Sequence, residues 1–551
     1  MRNNTRVFGL SMLAVGILAL YTLPLAAQNN GTPEISMDHA VAFAVSPALR
    51  DLPQLPPTVH YGFHETEPPR HVDFHPGRGQ LTGIDEVEQS FAGTSSSTIV
   101  PGLSIEGINQ ICGCYPGDPN ASVGDTQVVE QVNFDIEVFD KGSGTSLLGP
   151  LPLHQIFANL APNRCGVEDD GDPVVLFDKV NHRWLITQFE VTNPAYFCAA
   201  VSTSNDATST WNLYAFSTTD FNDYPKWGMW PTGYFATDNH FNNAGTAYLN
   251  ARLNAFNDVK MRAGDPTAEH ITATLSSSDY SILPADVDSV LPPPVGQPEF
   301  FIGSYDVDSS NNHLYLYSMA PNFAAGTAVV TGSGLANPIT VPTYVPFCDS
   351  SRSCVPEPGG STLDALGDRV MYRFAYWNDL APTSAAPSAV VGPRQHWYVN
   401  HVAKASGGQA GVRWYEFQAP VMVVNTGALT LHQSGTFAPD SNYRWMASIA
   451  QDKVGNLAVG YSISNGTSLH PSIYVAGRAK SDPLGQLSGE TTLTTGTGTQ
   501  TGSAHRWGDY TSMSLDPSDH CTFWYTNEYL TTTGTAPWQT RLNQLKFDNC
   551  H

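Results

Sequence analysis

Positively charged residues are scarce in this sequence of 551 residues. Lys and Arg number 26 against 50 Asp and Glu, which gives a net charge of −24, and all charged residues together make up only 14%. Ordinary soluble proteins contain about 25%. Because so acidic a surface repels phosphate backbones and anionic lipids, the composition argues against nucleic acids and membrane surfaces as partners.

Several motifs are missing as well. Beyond the N-terminus no apolar run approaches the ~20 residues that span a bilayer. There is no G-x-x-x-x-G-K-[ST] phosphate loop, no G-x-S-x-G nucleophile turn and no EF-hand, since GDPNASVGD at residues 117–125 has calcium-ligand types at the wrong spacing. His401 has no identifiable catalytic partner. These absences argue against membrane insertion, nucleotide hydrolysis and serine-hydrolase chemistry.

The N-terminus is typical of an exported protein. Two arginines precede an apolar run at residues 7–20, and Ala26 and Ala27 follow it. This pattern predicts a secretory signal at residues 1–27, cleaved after Ala27, and favours removal over an uncleaved membrane anchor. We therefore expect a secreted protein, extracellular or periplasmic, with a mature charge of 24 − 50 = −26.

Residues 28–100 lack sustained periodicity and contain PQLPP, EPPRH and HPGRG. This composition predicts an extended leader or linker rather than a packed domain. Within it, two pairs of histidines spaced four apart could bind a metal if they lay on a helix: His60, His64, His71 and His75. Because the prolines prevent a helix, a solvated linker is the preferred interpretation.

Eight cysteines form an even set, which predicts disulfides in an exported chain. Proximity suggests three pairs: Cys348 with Cys354, Cys521 with Cys550, and Cys165 with Cys198. Cys112 and Cys114 are left to pair with each other or with a rearranged partner. A zinc or redox role for these two is the alternative, but no Cys/His cluster follows at ligand spacing.

From about residue 120 onward, short apolar and aromatic runs alternate with turn signals. Examples are DPVVLFDKVNHRWLITQFE, RWMASIAQDKVGNLAVGYSIS and GDYTSMSLDPSDHCTFWYTNEYL. Their length and period-two stretches predict antiparallel strands. In all three a first strand ends in an aspartate, a turn follows, and a second strand carries the aromatic or aliphatic residues. We interpret these aspartates, Asp178, Asp452 and Asp516, as caps of turn amides.

A Gly-Asp or Asn-Asp pair introduces the first strand of several units, at Asp125, Asp172, Asp223, Asp368 and Asp509. Repeats of this kind over residues 101–551 predict an all-β protein, a β-propeller of four-stranded antiparallel blades, with seven as the preferred number. An array of two-sheet sandwiches is the competitor. It would need a linker between domains near residues 330–365.

The longest blocks also resemble a known family. GDPVVLFDKVNHRWLITQFE, FNDYPKWGMWPTGYFATDN and RWGDYTSMSLDPSDHCTFWYTNEYLTTTGTAPWQTR resemble recurring blocks of large secreted bacterial proteins with a sialidase-like β-propeller. The similarity covers about residues 100–550 and implies the fold but almost nothing about activity. The sialidase Asp-box, Ser-x-Asp-x-Gly-x-x-Trp, has only a loose counterpart in Ser514-Leu515-Asp516 followed by Trp524.

In a propeller the first strands line the channel and begin at one face. We therefore expect the five aspartates of the Gly-Asp and Asn-Asp pairs to converge there. Converging carboxylates repel one another unless a cation joins them, which makes Ca²⁺ the candidate cofactor with these aspartates as ligands. The preferred alternative is that each Asp accepts amide hydrogen bonds at its own strand entrance.

Candidate catalytic residues are Tyr525 and Glu528 in WYTNEY, which match the nucleophile pair of a sialidase-type glycosidase. Three arginines are candidates for binding an anionic sugar, namely Arg373, Arg444 and Arg506. Two of the three belong to Arg-Trp dipeptides that recur along the chain, and repeated packing of Arg on an aromatic ring is the simpler interpretation of those dipeptides.

Four aromatics crowd around Gly and Pro in KWGMWPTGYF, residues 226–235. Trp227, Trp230 and Tyr234 are candidate ligand-binding residues, because sugar-stacking platforms have this composition; burial in the core is the usual fate of such residues. Taken together, the patterns favour an exported, non-catalytic propeller that recognises a glycan or an extracellular protein on one face. A sialidase-like exo-glycosidase is the alternative, and the sequence indicates no oligomeric state.

Overall fold

The computed structural model describes residues 1, 33–53, 64–65, 84–304, 312–332, 338–348, 352–379, 395–419, 429–503 and 505–551. The predicted signal at residues 1–27 and the histidine side chains of the leader lie outside this description. The helices among the described residues are short, α1 (Leu153–Phe157) and α2 (Asp258–Ala263), with three 3₁₀ turns at Leu49–Asp51, Ala158–Leu160 and Arg164–Gly166. None of them is long and apolar enough to cross a membrane.

Most strands belong to antiparallel sheets of four consecutive strands. The first sheet contains β7 (Asn120–Val123), β8 (Gln127–Val132), β9 (Asp135–Asp140) and β10 (Ser146–Pro152). The second contains β11 (Val174–Asp178), β12 (Arg183–Glu190), β13 (Ala195–Ser202) and β14 (Trp211–Thr218). The third contains β15 (Phe221–Trp230), β16 (Gly233–Phe241), β17 (Tyr248–Phe256) and β18 (Glu269–Thr274).

The fourth sheet contains β19 (Leu283–Val287), β20 (Glu299–Ser304), β21 (His313–Asn322) and β22 (Thr327–Thr331). The fifth contains β26 (Met371–Asn378), β27 (Gln395–Lys404), β28 (Ala410–Ala419) and β29 (Thr430–Phe437). The sixth contains β30 (Tyr443–Gln451), β31 (Leu457–Ser464), β32 (Ser472–Arg478) and β33 (Thr491–Thr494). The seventh contains β34 (Ser512–Leu515), β35 (Thr522–Leu530), β36 (Trp538–Phe547) and, from the other end of the chain, β5 (Ile99–Asn109).

The first strands of these sheets form a closed cycle. Each contacts the next in the order β7, β11, β15, β19, β26, β30, β34 and back to β7. Inner positions are buried on both faces because each sheet packs between two others; β35 is buried throughout, whereas β36 alternates buried and half-buried residues. The predicted all-β propeller with antiparallel blades is therefore confirmed.

The fourth and fifth sheets are continuous with each other. Their inner strands β19 and β26 pair directly and in parallel, with Ala285 opposite Phe374 and Val287 opposite Tyr376. The connection around residues 330–365 therefore lies within the ring, which differs from the inter-domain linker that a sandwich array would need. Because no sheet edge separates these two units, the blade number of seven stays a prediction.

Part of the segment predicted to be an extended leader adds strands to the sheets. Strand β1 (Glu34–His39) extends the third sheet beside β18, β2 (Ala42–Val45) extends the second beside β14, and β4 (Glu88–Gln89) pairs with β29. Short pairs complete the set: β3 (His64–Glu65) with β6 (Cys114–Tyr115), β23 (Pro338–Thr340) with β21, and β24 (Ser353–Val355) with β25 (Leu363–Asp364). The prolines and glycines of this segment indicated a linker. Its strands could not be predicted from the segment itself, because they form by pairing with residues far away in sequence.

The turn aspartates have the predicted capping role. Asp178 Oδ1 accepts the backbone N–H groups of Val180 and Asn181 at 3.0 and 2.9 Å. Asp452 Oδ1 accepts two turn amides in the same way, and Asp516 Oδ1 accepts that of Ser518 at 2.8 Å. These carboxylates satisfy amides that the turn would otherwise leave unpaired.

The cysteines form four disulfides: Cys112 with Cys114, Cys165 with Cys198, Cys348 with Cys354, and Cys521 with Cys550. The pairs suggested by proximity are confirmed, and of the alternatives left open for Cys112 and Cys114 the structure has their direct pair. The Cys521–Cys550 bond fastens the C-terminus to the turn that precedes β35.

A buried guanidinium fills the centre of the ring. Arg373 of β26 forms ion pairs with Asp286 at 2.9 Å and Asp288 at 2.6 Å, and its Nη1 donates to the carbonyl oxygen of Met513 in β34. Lys179, which follows β11, also contacts Asp288. Strands β26 and β34 are not neighbours in the cycle, so these contacts span the axis and tie four sheets together.

Ring closure gives the first prediction. A chain that ends at residue 504 lacks β34–β36 and leaves β5 without a partner, so we expect it to show no cooperative unfolding transition when melted under circular dichroism. A chain that begins at residue 46 lacks the added strands β1 and β2 but keeps all seven first strands of the cycle, and we expect it to keep a cooperative transition. If the chain that ends at residue 504 melts as sharply as the full chain, the ring is not closed through the pairing of β36 with β5.

Candidate functional site

The inner strands begin with an unusual backbone conformation. Three of them are preceded, two positions before their first pair, by a residue with positive φ: Asp118 (50°), Asp172 (44°) and Ser281 (46°). In β15 and β30 the residue with positive φ lies at a register shift inside the strand, namely Tyr224 (55°) and Met446 (49°). Residues other than glycine rarely adopt this left-handed backbone region, and those that do are concentrated at functional sites. We call the side of the propeller where the inner strands begin the entrance face.

Aspartates from four of the sheets meet near these turns. The backbone N–H of Asp509 donates to Asp118 Oδ1 at 2.6 Å. Asn133 connects the next pair, because its amide donates to Asp118 Oδ2 at 2.9 Å while its Oδ1 accepts the N–H of Asp172 at 2.9 Å. Burial raises the pKa of Asp172 to about 8. The charge of Lys226 lowers this pKa, whereas the charges of Asp118, Asp223 and Asp509 raise it.

The side chain of Lys226 supplies the positive charge among these carboxylates. It is fully buried, and its Nζ lies 3.8 Å from Asp172 Oδ2. The same atom is 3.6 Å from the ring centroid of Tyr224 and 4.0 Å from that of Tyr510, so two aromatic faces enclose the ammonium. We define the axial cluster as the following residues: Asp118, Asp172, Asp223, Tyr224, Lys226, Asp509, Tyr510 and, as shown below, Glu528.

Two carboxyl groups of this cluster have oxygens without a hydrogen bond in the described part of the chain. Both oxygens of Asp172 and the Oε2 of Glu528 are buried in this way. The other oxygen of Glu528 accepts the N–H of Gly508 at 2.6 Å. Burial raises the pKa of Glu528 to about 8, Asp509 adds to it, and Arg506 opposes it. At neutral pH both groups therefore hold a proton for most of the time.

Three of the five aspartates proposed as metal ligands, Asp172, Asp223 and Asp509, lie in the axial cluster, and two do not. Asp125 follows β7 at its far end, where it pairs with His182 at 2.9 Å and accepts a hydrogen bond from Asn205. Asp368 is 40% exposed and pairs with Arg369 at 2.8 Å.

The register error at Asp125 has a simple cause. The first sheet contains two Gly-Asp pairs, and the one that precedes β7 is Gly117-Asp118, followed by proline as in Gly171-Asp172-Pro173. That shared Gly-Asp-Pro is the signal that could have identified Asp118. Among the described residues no group of three or more His, Cys, Asp or Glu is arranged to hold a metal ion, and in the axial cluster the ammonium of Lys226 already opposes the carboxylates.

The predicted catalytic pair is split between two faces of β35. Tyr525 lies against Gly460 of the sixth sheet, and its hydroxyl accepts a hydrogen bond from Asn527 at 2.7 Å. Glu528 lies beside Gly508 and Gly117 in the axial cluster. Side chains three positions apart on a strand point to opposite sides, so these two residues cannot act on one substrate atom as a nucleophile pair.

The three aromatic candidates pack inside the protein. Trp227 and Tyr234 are 1% exposed and Trp230 is 4% exposed. Trp227 stacks on Phe256 with ring centroids 4.7 Å apart, the Trp230 indole donates to Gln297 O at 3.1 Å, and the Tyr234 hydroxyl donates to a turn aspartate. The structure therefore places them in the core, which was the alternative to a sugar-stacking platform.

The arginine candidates are engaged by carboxylates of the chain itself. Arg373 is held at the axis as described above. Arg444 pairs with Asp440 at 2.9 Å and Glu490 at 2.7 Å, and Arg506 pairs with Asp509 at 2.7 Å. Binding of an anionic sugar by any of them would require breaking ion pairs of a buried guanidinium, which is costly.

The raised pKa values predict how stability depends on pH. In the folded chain burial raises the pKa of Glu130 to about 7 and those of Asp172, Glu357 and Glu528 to about 8, whereas unfolded carboxyls titrate near pH 4. Raised carboxyl pKa values stabilise the fold fully below about pH 4, and this stabilisation is lost as the pH rises through 7 to 8. Buried His270 and His401, with pKa values lowered to about 3, oppose folding only below about pH 6.5.

We therefore expect the melting temperature to be higher at about pH 6 than at about pH 8.5, measured by calorimetry at constant ionic strength. The double variant Asp172→Asn, Glu528→Gln carries neutral amides at all pH values, so its melting temperature should fall less over the same range. A melting temperature that rises steadily from pH 6 to pH 8.5 in the unmodified protein would contradict the buried, protonated carboxyls.

Solved propellers provide distant structural matches. An endo-arabinase from Bacteroides thetaiotaomicron matches over 57% of this chain and 95% of its own, with 15% identity and a TM-score of 0.28. Cobalt-substituted apocarotenoid oxygenase from Synechocystis matches over 68% of this chain and 74% of its own, with 9% identity and a TM-score of 0.33. An exo-1,5-α-L-arabinanase from a bovine ruminal metagenomic library matches over 68% of this chain and 96% of its own, with 10% identity and a TM-score of 0.25.

At these scores the structural matches carry no inference about function. No protein-family model matches the sequence, and no curated protein is significantly similar to it. The resemblance to large secreted bacterial proteins therefore stays a prediction, and what this chain does has to be argued from its own residues.

Proposed function

We propose that this protein is an exported, non-catalytic β-propeller that binds a hydroxyl-rich glycan at the entrance face. The observation that carries the proposal is a continuous series of charged and aromatic groups leading from the surface to carboxyl oxygens without hydrogen bonds.

The series begins at Asp368, whose side chain is 40% exposed and binds Arg369 through both oxygens at 2.8 and 2.9 Å. The Arg369 guanidinium lies 4.7 Å from the ring centroid of Tyr224 and 5.0 Å from that of Tyr280, whose hydroxyl accepts its hydrogen bond at 2.9 Å. The ammonium of Lys226 contacts the same Tyr224 ring, and Lys226 in turn lies beside Asp172. Sugar hydroxyls both donate and accept hydrogen bonds, so they suit carboxyl, guanidinium and phenol groups in one place.

The charge of the protein favours a neutral glycan over an anionic one. The predicted mature charge is 24 − 50 = −26, and the arginines Arg373, Arg444 and Arg506 are already paired. A negatively charged sugar would approach a repulsive surface and find its natural partners occupied. The export part of the proposal rests on the N-terminal signal pattern and is supported by the four disulfides, which persist in oxidising compartments.

Binding can be tested by titration calorimetry with neutral and anionic oligosaccharides. We expect binding of a neutral oligosaccharide, weakened about tenfold or more by Arg369→Gln, since a hydrogen bond to a charged group contributes ~1.5–3 kcal/mol. Asp172→Asn, which replaces the carboxyl group by an amide, should weaken binding as well. Asp125→Asn is the matched control, because that aspartate lies at the far end of β7, and its affinity should be unchanged. Absence of binding to every neutral glycan, or equal weakening by the control, would refute the proposal and favour a protein partner.

A glycoside hydrolase is the second candidate, and one observation favours it. Asp172 and Glu528 belong to one cluster and have pKa values near 8, and a glycosidase requires a carboxylic acid that stays protonated at neutral pH. Chromogenic glycosides test it directly. We expect no turnover; hydrolysis that Glu528→Gln abolishes and Tyr525→Phe leaves intact would establish an enzyme in which Glu528 acts without Tyr525, rather than the predicted pair.

A further inference from the structure

Residues 84–98 run along the outer edges of the fifth, sixth and seventh sheets. Gln89 of β4 pairs with Phe437 in β29, the last strand of the fifth sheet. Gly93 forms a parallel bridge with Ser488, which lies between β32 and β33 of the sixth sheet. The segment then continues directly into β5, the outermost strand of the seventh sheet. It therefore crosses the two seams between these three sheets, and we call it the rim strap.

A buried charge pair fixes the start of the rim strap. The side chains of Asp85 and Arg413 are 1% and 0% exposed, and Arg413 Nη1 of β28 donates to Asp85 Oδ1 at 2.9 Å. The hydroxyl of Thr436 in β29 donates to the other oxygen of Asp85 at 2.5 Å. A guanidinium inside a sheet needs a carboxylate partner, because an uncompensated buried charge is costly. The rim strap thus supplies the counter-charge of an arginine that belongs to the fifth sheet.

Gln89 joins the fifth sheet to the sixth. Its backbone carbonyl oxygen accepts the N–H of Ala438, the residue that follows β29, at 3.1 Å. Its side chain bonds both backbone groups of Leu487 in the sixth sheet, since Oε1 accepts the N–H at 2.8 Å and Nε2 donates to the carbonyl oxygen at 2.7 Å. Gln89 is buried, which strengthens these hydrogen bonds relative to exposed ones. One side chain therefore bridges the first seam.

The next contact requires a glycine. The N–H of Gly93 donates to the carbonyl oxygen of Leu487 at 3.1 Å, and the carbonyl oxygen of Gly93 accepts the N–H of Gly489 at 3.1 Å. A Cβ atom at position 93 would lie only 2.4 Å from the Leu487 oxygen. The two backbones approach this closely because residue 93 has no side chain.

Two carboxylates bind the serine-rich end of the rim strap. Asp482, which lies in the turn after β32, accepts the hydroxyl of Ser95 at 2.5 Å and the N–H of Ser96 at 2.9 Å. Asp548, which follows β36, accepts the N–H of Thr98 at 3.2 Å. Because Asp482 belongs to the sixth sheet and Asp548 to the seventh, these hydrogen bonds span the second seam.

We propose that the rim strap is a latch that holds the fifth, sixth and seventh sheets together, and that the charge pair of Asp85 and Arg413 keeps it closed. Its contacts follow one another along one short segment, so they open together as one unit. Opening uncovers the outer edge of β29, and an uncovered strand edge is a template for pairing with other chains. The latch is independent of the glycan site, since none of its residues belongs to the axial cluster or to the series from Asp368 to Asp172.

Hydrogen exchange of the full chain, followed by mass spectrometry that resolves single amides, tests the latch. The reporters are the backbone N–H groups of Thr436 and Leu487, which donate to the rim strap from the fifth and sixth sheets. We expect Asp85→Asn to accelerate exchange at both about tenfold or more, because it leaves Arg413 without a charged partner and exchange at these groups requires the latch to open. Amides of β31, inside the sixth sheet, should keep their rates.

Asp364→Asn is the matched control for general destabilisation. Asp364 is as buried as Asp85 and pairs with Arg352 at 2.6 Å outside the rim strap. Its replacement should lower the melting temperature without accelerating exchange at Thr436 or Leu487.

Gly93→Ala provides a second test if Asp85→Asn fails to fold, because its added Cβ displaces the Leu487 carbonyl and leaves the charge pair in place. Since the latch opens as one unit, exchange should accelerate at Thr436 as well as at Gly489. The proposal is overturned if Asp85→Asn leaves both reporters unchanged, if Asp364→Asn accelerates them equally, or if the effect of Gly93→Ala is confined to Gly489.

Discussion

The buried ion pairs of Arg373 are the contact on which the rest of the ring depends. A guanidinium removed from water requires full compensation, and Asp286 and Asp288 supply it at 2.9 and 2.6 Å. Although burial works in the opposite direction, Arg373 and Lys179 hold the pKa of Asp288 below its usual value. Removing one partner of such a network typically costs 3–5 kcal/mol, because it leaves an uncompensated buried charge.

This network also decides where the protein can meet a ligand. With Arg373 donating to Met513 across the centre and β19 paired directly with β26, the middle of the ring is occupied by the chain itself. The entrance face remains, where inner strands begin with left-handed residues and polar side chains gather. The axial cluster lies there because every antiparallel sheet brings the start of its first strand and the end of its second to the same side.

Local signals in the sequence were sufficient for most of the architecture. Period-two runs identified the strands, Asp178, Asp452 and Asp516 identified turns because a cap bonds amides two to four residues away, and the disulfides of short separation followed from proximity. These features depend on residues that are close in sequence, so the pattern contains the information needed to find them.

The features that the sequence did not indicate depend on distant partners. Strand β1 is defined by β18, more than two hundred residues away, and nothing in its own proline-flanked segment distinguishes it from a linker. Asp118 and Asp125 both follow glycine, and only the position of β7 between them decides which one reaches the axis. The arginines were recognisable as a recurring type, but whether a guanidinium is free or paired is set by residues such as Glu490 and Asp288 elsewhere in the chain.

The axial cluster supplies its own positive charge. In the axial cluster Lys226 lies within 4.0 Å of two aromatic centroids and of Asp172, so the chain provides its own cation and the remaining demand is for hydrogen bonds. A cluster that already contains its cation suits a neutral polyhydroxylated ligand better than a metal ion, and this is the physical basis of the glycan site that we propose.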